Sequence, residues 1–234
     1  ITASHNAKQY NGYKVYGEDG AQMAPENADR LFAYAQKVDD IFSVKAAPVE
    51  ELRANGTLQL IGEDVDEADL ARLKDVTVDP EMVKANADKL KIIYTPLHGT
   101  GKMLYDRAFR QGGFDNVIPV PKQSIIDPEF PTTIKPNPEY RDVFEPGFKL
   151  ANEVDANVII ATDPDADRMG AAVRKSDGDF QVLTGNQIAT LMAYYLLVHM
   201  KENGTLSSDY ELVTSVVSSA LPFKIADDFG IKTK

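Results

Sequence analysis

Apolar residues gather in short runs between polar turns, and the runs fall into three blocks. From residue 1 to about 78 the pattern is sparse. A polar loop, Ser4-His5-Asn6, precedes Tyr13-Lys14-Val15-Tyr16, which reads as a short strand, and Glu18-Asp19-Gly20 reads as a turn. Pro25 stands where a helix can start. Leu31, Tyr34, Ala35, Val38, Ile41 and Phe42 then recur at helical spacing and predict an amphipathic helix over about 25–42. Polar, helix-leaning stretches follow at about 50–55 and 67–74.

The second block, from about 80 to 184, alternates strands and helices. Strands are predicted at 91–95, 117–120 and 158–161, with helices at about 102–111 and 146–154. Two further strands, about 169–174 and 180–183, flank a turn at Ser176-Asp177-Gly178-Asp179. Strands separated by helices imply right-handed crossovers and a mostly parallel sheet, hence an α/β fold. In the third block, an apolar helix over about 186–201 has Met and aromatic residues expected in a core. A strand at 210–215 and a helix at about 219–228 follow it. That block is too small to close a sheet alone.

Composition narrows the class. With 25 Lys+Arg against 36 Asp+Glu the net charge is −11, which argues against a nucleic-acid binder, since phosphate backbones need clustered cations. It suits an enzyme that meets anions only in a local basic pocket. The absence of cysteine excludes a disulfide framework, a thiolate zinc site and a Cys nucleophile, and agrees with a cytoplasmic location. The longest apolar stretch, near Leu191–Met200, is too short for a membrane span, and no signal peptide is seen. The chain opens on Ile1 rather than Met, as a processed or cut piece would.

The sharpest chemical signal is Asp163-Pro164-Asp165-Ala166-Asp167-Arg168, directly after an apolar strand. In an extended segment, residues two apart share a side, so three carboxylates converge and repel unless a cation sits among them. Oxygen-only ligands suit Mg²⁺ or Ca²⁺ rather than zinc. An EF-hand loop counted from Asp163 needs Gly at its sixth position and Glu at its twelfth; Arg168 and Arg174 stand there instead. A solvated acidic turn is the bland alternative. The second signal is Thr2-Ala3-Ser4-His5-Asn6 with Lys14 close behind. A serine can carry a phosphoryl group where a metal and cations offset its charge, but a Ser, His and Lys at this spacing are commonly inert surface residues. His98, in a Gly-bearing loop after a strand, reads equally well as a site-lining residue or as a turn residue.

Together these segments resemble one family. Thr2-Ala3-Ser4-His5-Asn6, Asn11-Gly12-Tyr13-Lys14 and Asp163 through Arg168 are similar to motifs of the α-D-phosphohexomutases. Tyr94-Thr95-Pro96-Leu97-His98-Gly99-Thr100-Gly101 and Leu183-Thr184-Gly185-Asn186 resemble its phosphoglucomutase/phosphopentomutase branch. The resemblance implies mixed sheets covered by helices and a Mg²⁺-dependent phosphotransfer. Ser4 becomes the phosphorylated residue. Asp163, Asp165 and Asp167 hold Mg²⁺ with an oxygen of phospho-Ser4, Arg168 faces the moving phosphoryl group, Lys14 is a general acid/base, and His5 stands beside the serine. Three Asp and a phosphoserine of charge about −2, less the metal's +2, leave about −3 for Arg168, Lys14 and groups elsewhere to offset. The implied substrate is a phosphosugar, a hexose or pentose phosphate, with a sugar bisphosphate as intermediate.

The resemblance also divides the chain. Residues 1–78 correspond to the end of a first domain, 79–184 to a complete second domain with the metal loop, and 185–234 to the start of a third. Ala7 stands where the family usually has Pro, which frees the serine loop's φ. Neither a Gly-Glu-x-Ser sugar loop nor an Arg-x-Ser-Gly-Thr phosphate loop occurs. The expectation is a parent enzyme interconverting glucose 1- and 6-phosphate, with the isolated chain nearly inactive. Rival readings are a phosphopentomutase, a phosphomannomutase, or a non-catalytic Mg²⁺- and anion-binding module.

Overall fold

Four consecutive residues of β1 (Ile92–Thr95) are buried, so the strand is covered on both faces. It sits near the centre of a five-stranded sheet with β2 (Val117–Pro119), β3 (Val158–Thr162), β4 (Met169–Arg174) and β5 (Phe180–Leu183), in the order β2-β1-β3-β4-β5. The structure, a computed structural model, describes residues 2–234. β1 runs parallel to β2 and to β3, with Ile93 opposite Ile159, whereas β3–β4 and β4–β5 are antiparallel. The sheet is therefore mixed rather than mostly parallel. The connections 163–168 and 175–179 are too short for crossovers and can only turn the chain back.

Helices cover both faces. Against one lies α6 (Glu145–Val154), where Phe148 and Ala151, with Phe144 just before the helix, join Ile93, Ile159, Ala161, Ala172 and Phe180 in the main core. Gly147 allows the close approach, since a Cβ there would meet Ile159 Cγ2 at 3.1 Å. Arg174 closes the helix's far end, donating to the carbonyls of Ala151 and Ala156 and to Gly178 in the β4–β5 turn. On the other face Tyr94 stacks on Tyr105 at 4.7 Å and meets Phe109 edge-on. Both belong to α5 (Tyr105–Gln111), which packs on α3 (Glu63–Val76).

The flanking blocks are thinner. α1 (Pro25–Ala35) stops seven residues before the predicted end. The polar stretch after it breaks the helix, and Asp40 caps a separate 3-10 turn at Ile41–Ser43. None of its residues is buried; Phe32 and Tyr34 are exposed. The expected strand at 13–16 shrinks to one bridge, Tyr16 to Gln22, because no neighbouring strand is there to pair with it. The short helices α2 (Val49–Ala54) and α4 (Pro80–Asn86) link the first block to the sheet. After the sheet, α7 (Gly185–Glu202) starts from a Thr184–Gln187 capping box. Its expected core role is corrected. Only Ala193 and Leu197 are buried, while Leu191, Met192 and Tyr194 are more than half exposed. The strand foreseen at 210–215 is the two-residue β6 (Glu211–Leu212), paired with β7 (Lys232–Thr233). α8 (Leu221–Asp228) packs on α7 around Leu197, Ala226 and Ile231. Among the described residues no helix is long and apolar enough to cross a membrane.

Candidate active site

The parallel strands β1 and β3 end side by side, and their carboxyl ends are where an α/β sheet places its ligands. The acidic loop leaves β3 there. It is not extended, as alternation would require. Ala166 is left-handed with φ +62°, and its N–H donates to the Asp163 carbonyl at 2.9 Å, so the segment curls. Curling, not alternation, converges the three carboxylates: one oxygen from each of Asp163, Asp165 and Asp167 lies within 4.8 Å of the others.

The serine loop meets them from 159 positions away. Ser4 Oγ donates to Asp163 Oδ2 at 2.9 Å. Ser4 is itself left-handed, φ +53°, an uncommon conformation for a residue with a side chain. Its N–H is tied to Thr2 Oγ1 at 2.8 Å, and Asn6 N–H closes the turn on the Ala3 carbonyl. Asp163 is buried, and its other oxygen accepts from the Arg168 N–H at 3.0 Å. Burial first, and a hydrogen bond shared with Asp165 second, push the Asp163 carboxyl up to about 6; the bonds from Ser4 and Arg168 oppose the rise.

Lys14 approaches Asp165 Oδ2 at 2.8 Å and Asp167 at 3.6 Å. Burial pushes the Asp165 carboxyl up, but the hydrogen bonds from Lys14, Asp163 and Ser4 outweigh it and hold the group below the usual range. The same contact, with the Asp165 hydrogen bond foremost, raises Lys14 and keeps it a cation. His5 completes a chain. Its Nδ1 lies 3.2 Å from Ser4 Oγ, and its Nε2 lies 3.4 Å from Arg168 Nη1. A guanidinium only donates, so Nε2 accepts, and in the neutral ring the proton sits on Nδ1, facing Ser4. All seven residues named from the sequence thus meet in one place.

These residues fit a hard divalent cation. The donors are all oxygens, and Asp165 Oδ1 is buried with no hydrogen-bond partner, an expensive state for a carboxylate unless something cationic meets it. Beside the site, a cavity of about 420 Å³ runs between Ser4, Lys8, Thr100, Asp127 and Pro164.

Two family models match the chain: phosphoglucomutase/phosphomannomutase alpha/beta/alpha domain I over residues 1–41, and domain II of the same family over residues 70–178. The chain belongs to the phosphoglucomutase/phosphomannomutase family. A phosphoglucomutase of Staphylococcus saprophyticus is 32% identical over 99% of this chain, and a mouse phosphopentomutase 35% identical over 97%. A phosphoglucomutase/phosphomannomutase family protein of Burkholderia thailandensis shares the fold, with a TM-score of 0.65 over the whole chain and 17% identity. The chain spans 41%, 37% and 43% of these three proteins respectively.

His98 borders the cavity beside the site, but its ring is tied into the fold. The ring is buried, with Nδ1 on the Ile125 carbonyl and Nε2 on Thr132 Oγ1, both at 2.8 Å. Pro136, Asn137 and Pro138 are buried too, and Gly170 packs against the Pro138 carbonyl, so this segment serves the fold. The sequence reading quoted Thr2 and Thr100 within motifs but gave neither a role of its own. Thr100 donates both its N–H and its hydroxyl to the Pro164 carbonyl, at 2.8 and 3.0 Å. The two glycines around it, Gly99 and Gly101, were the available signal of a close approach.

Proposed function

We propose that the protein containing this chain interconverts glucose 1-phosphate and glucose 6-phosphate through a phosphorylated Ser4 and a glucose bisphosphate. The Ser4–Asp163 hydrogen bond carries the reading, because it sets a hydroxyl able to carry a phosphoryl group against the oxygen cluster. In the first half-reaction the P–O bond to Ser4 breaks while a bond to a sugar hydroxyl forms. The hydroxyl's proton leaves, and Ser4 Oγ ends protonated. Lys14 enters this step neutral and takes the sugar hydroxyl's proton, and His5 enters it as imidazolium and gives its Nδ1 proton to Ser4 Oγ, so the step ends with Lys14 cationic and His5 neutral. Arg168 offsets charge on the phosphoryl oxygens in flight. The bisphosphate then turns over, and the other phosphate returns to Ser4 by the same steps reversed.

Asp163, Asp165 and Asp167, with Ser4, are the residues that would hold Mg²⁺, which when bound neutralises phosphoryl charge. Most of the acceleration then comes from positioning and charge stabilisation. We also propose that the 234 residues alone turn over little, since this chain spans 41% of its phosphoglucomutase relative.

The test is intact-mass analysis of the whole protein after exposure to glucose 1,6-bisphosphate. One added phosphoryl group, lost in Ser4→Ala, is expected; no transfer to the wild type ends the reading. A pentose phosphate substrate is the second reading, favoured by the 35% identity to a phosphopentomutase. A higher kcat/KM with ribose 1-phosphate than with glucose 1-phosphate decides for it.

A further inference from the structure

Leu97 and His98 are consecutive buried residues that both adopt left-handed backbone, φ +46° and +66°. Two such residues in a row persist only where the surroundings over-determine them. Here they are pinned from several sides. The Leu97 N–H donates to Thr95 Oγ1, the His98 N–H to the Gln123 carbonyl at 2.8 Å, and the Asp127 N–H to the His98 carbonyl at 3.2 Å. The ring adds two bonds. A carbonyl accepts only, so Nδ1–H donates to Ile125, and Nε2 takes the Thr132 hydroxyl proton. Thr132 Oγ1 in turn accepts from Gln123 Nε2, which also donates to the Val143 carbonyl.

The strained turn is aimed at one target. Gly99 presses on the Pro164 backbone so closely that a Cβ would overlap it, and Thr100 places its two donors on the Pro164 carbonyl. That carbonyl belongs to the planar peptide reaching the Cα of Asp165, whose Oδ1 is the buried oxygen without a partner. Gly101 adds a further close approach, to Tyr94 and Thr162, which are hydrogen-bonded to each other at 2.8 Å just before the acidic loop.

We propose that the Leu97–Gly101 turn is a rigid brace for the acidic loop, with Thr100 and Gly99 as positioning residues that fix the Pro164–Asp165 peptide, and so the cation affinity of the carboxylates, without touching the cation. This rests on the reading that Asp163, Asp165 and Asp167 hold Mg²⁺. Gly99 has an ordinary φ of −103°, so Gly99→Ala is strained only by its contact with Pro164. Thr100 is exposed, so Thr100→Val removes one hydroxyl donor and leaves the core alone.

The experiment is calorimetric titration of this chain with Mg²⁺, at a temperature where circular dichroism shows each variant folded. Gly99→Ala is expected to weaken binding by about 10-fold or more, Thr100→Val by about 3- to 5-fold, and Thr100→Ser to stay within about twofold of wild type. The metal-free melting temperature of Thr100→Val is expected to match wild type, which separates positioning from a general loss of structure. Should Gly99→Ala not fold, the Thr100 pair carries the test. Wild-type affinity in Thr100→Val, or no recovery in Thr100→Ser, overturns the brace while leaving the metal site standing. A folded wild type that takes up no Mg²⁺ overturns the metal reading, and the brace with it.

Discussion

The sheet region and the first 48 residues both supply the site, four residues from the loop after β3 and three from the first block, but they are built on opposite terms. The sheet region holds a filled core, with Ile93, Phe144 and Ile159 fully buried; of residues 2–48, Ala7 alone is buried. Ser4, His5 and Lys14 therefore have no core of their own to hold them. Their positions are set by what they touch on the sheet side: Asp163, Arg168 and Asp165. One half of the site is positioned by packing and the other by polar contacts with it, and the two respond to different perturbations.

The largest separation is in stability. Phe144→Ala empties a site stacked against Phe148 at 6.1 Å and should cost about 3–5 kcal/mol. Phe42→Ala, at a residue 92% exposed, should stay within about 0.5 kcal/mol. Urea unfolding measures both. A loss at Phe42 approaching that at Phe144 would mean the first block packs in solution against something, and the contrast would fail.

Next is Asp165→Asn, which keeps the shape and removes the charge. It should lower Mg²⁺ affinity by about 100-fold, beyond the usual effect of outer partners. The folded state should barely change, because Asn keeps an oxygen for Lys14 to donate to in this partly buried contact. Calorimetry and a melting curve on the same sample test this; unchanged affinity would remove Asp165 from the ligand set.

A pH series sharpens the same point at smaller amplitude. Without metal, burial first and Asp165 second hold the Asp163 carboxyl at about 6 rather than 3.8. The folded chain thus keeps a proton that the unfolded chain releases, and the contribution of Asp163 to metal-free stability falls as pH rises through that window and levels off above it. Mg²⁺ competes with that proton, so affinity should rise by up to about tenfold per pH unit below 6 and flatten above. Affinity independent of pH from 5 to 7 would show that Mg²⁺ displaces no proton from Asp163 in that range.

The same contrast governs what the sequence could reveal. Strands β3, β4 and β5 fell within a residue of their predicted bounds, because burial leaves an apolar run bounded by turn residues. α1 was overextended because its apolar spacing continues through Val38, Ile41 and Phe42. Periodicity cannot tell an apolar face that is packed from one that is not. The convergence of Asp163, Asp165 and Asp167 was legible, but from the wrong geometry: Ala166 carries no outward sign that it adopts a left-handed turn. The turn at His98 and the glycines beside Thr100 were legible, but the partners of these residues were not, since they lie 27 to 64 positions away.

The smallest expected effect tests the polar half directly. Lys8 reaches Glu129 at 2.6 Å, joining the serine loop to the segment after β2, and both side chains are exposed. Exposed pairs of this kind are screened and contribute little, so Lys8→Ala should not move the melting temperature. Nor should it alter Mg²⁺ affinity, because the contact involves none of the oxygens around Asp163. It does remove a tether from a segment with no core. The Asn6 and Tyr10 amides, which close the serine loop on Ala3 and Ala7, should therefore exchange with solvent several-fold faster, while the β1 and β3 amides keep their rates. High salt should reproduce the effect in the wild type by screening the pair. Uniform acceleration across both regions would show that loop and sheet open as one unit, and the division between a packed half and a polar half would not survive it.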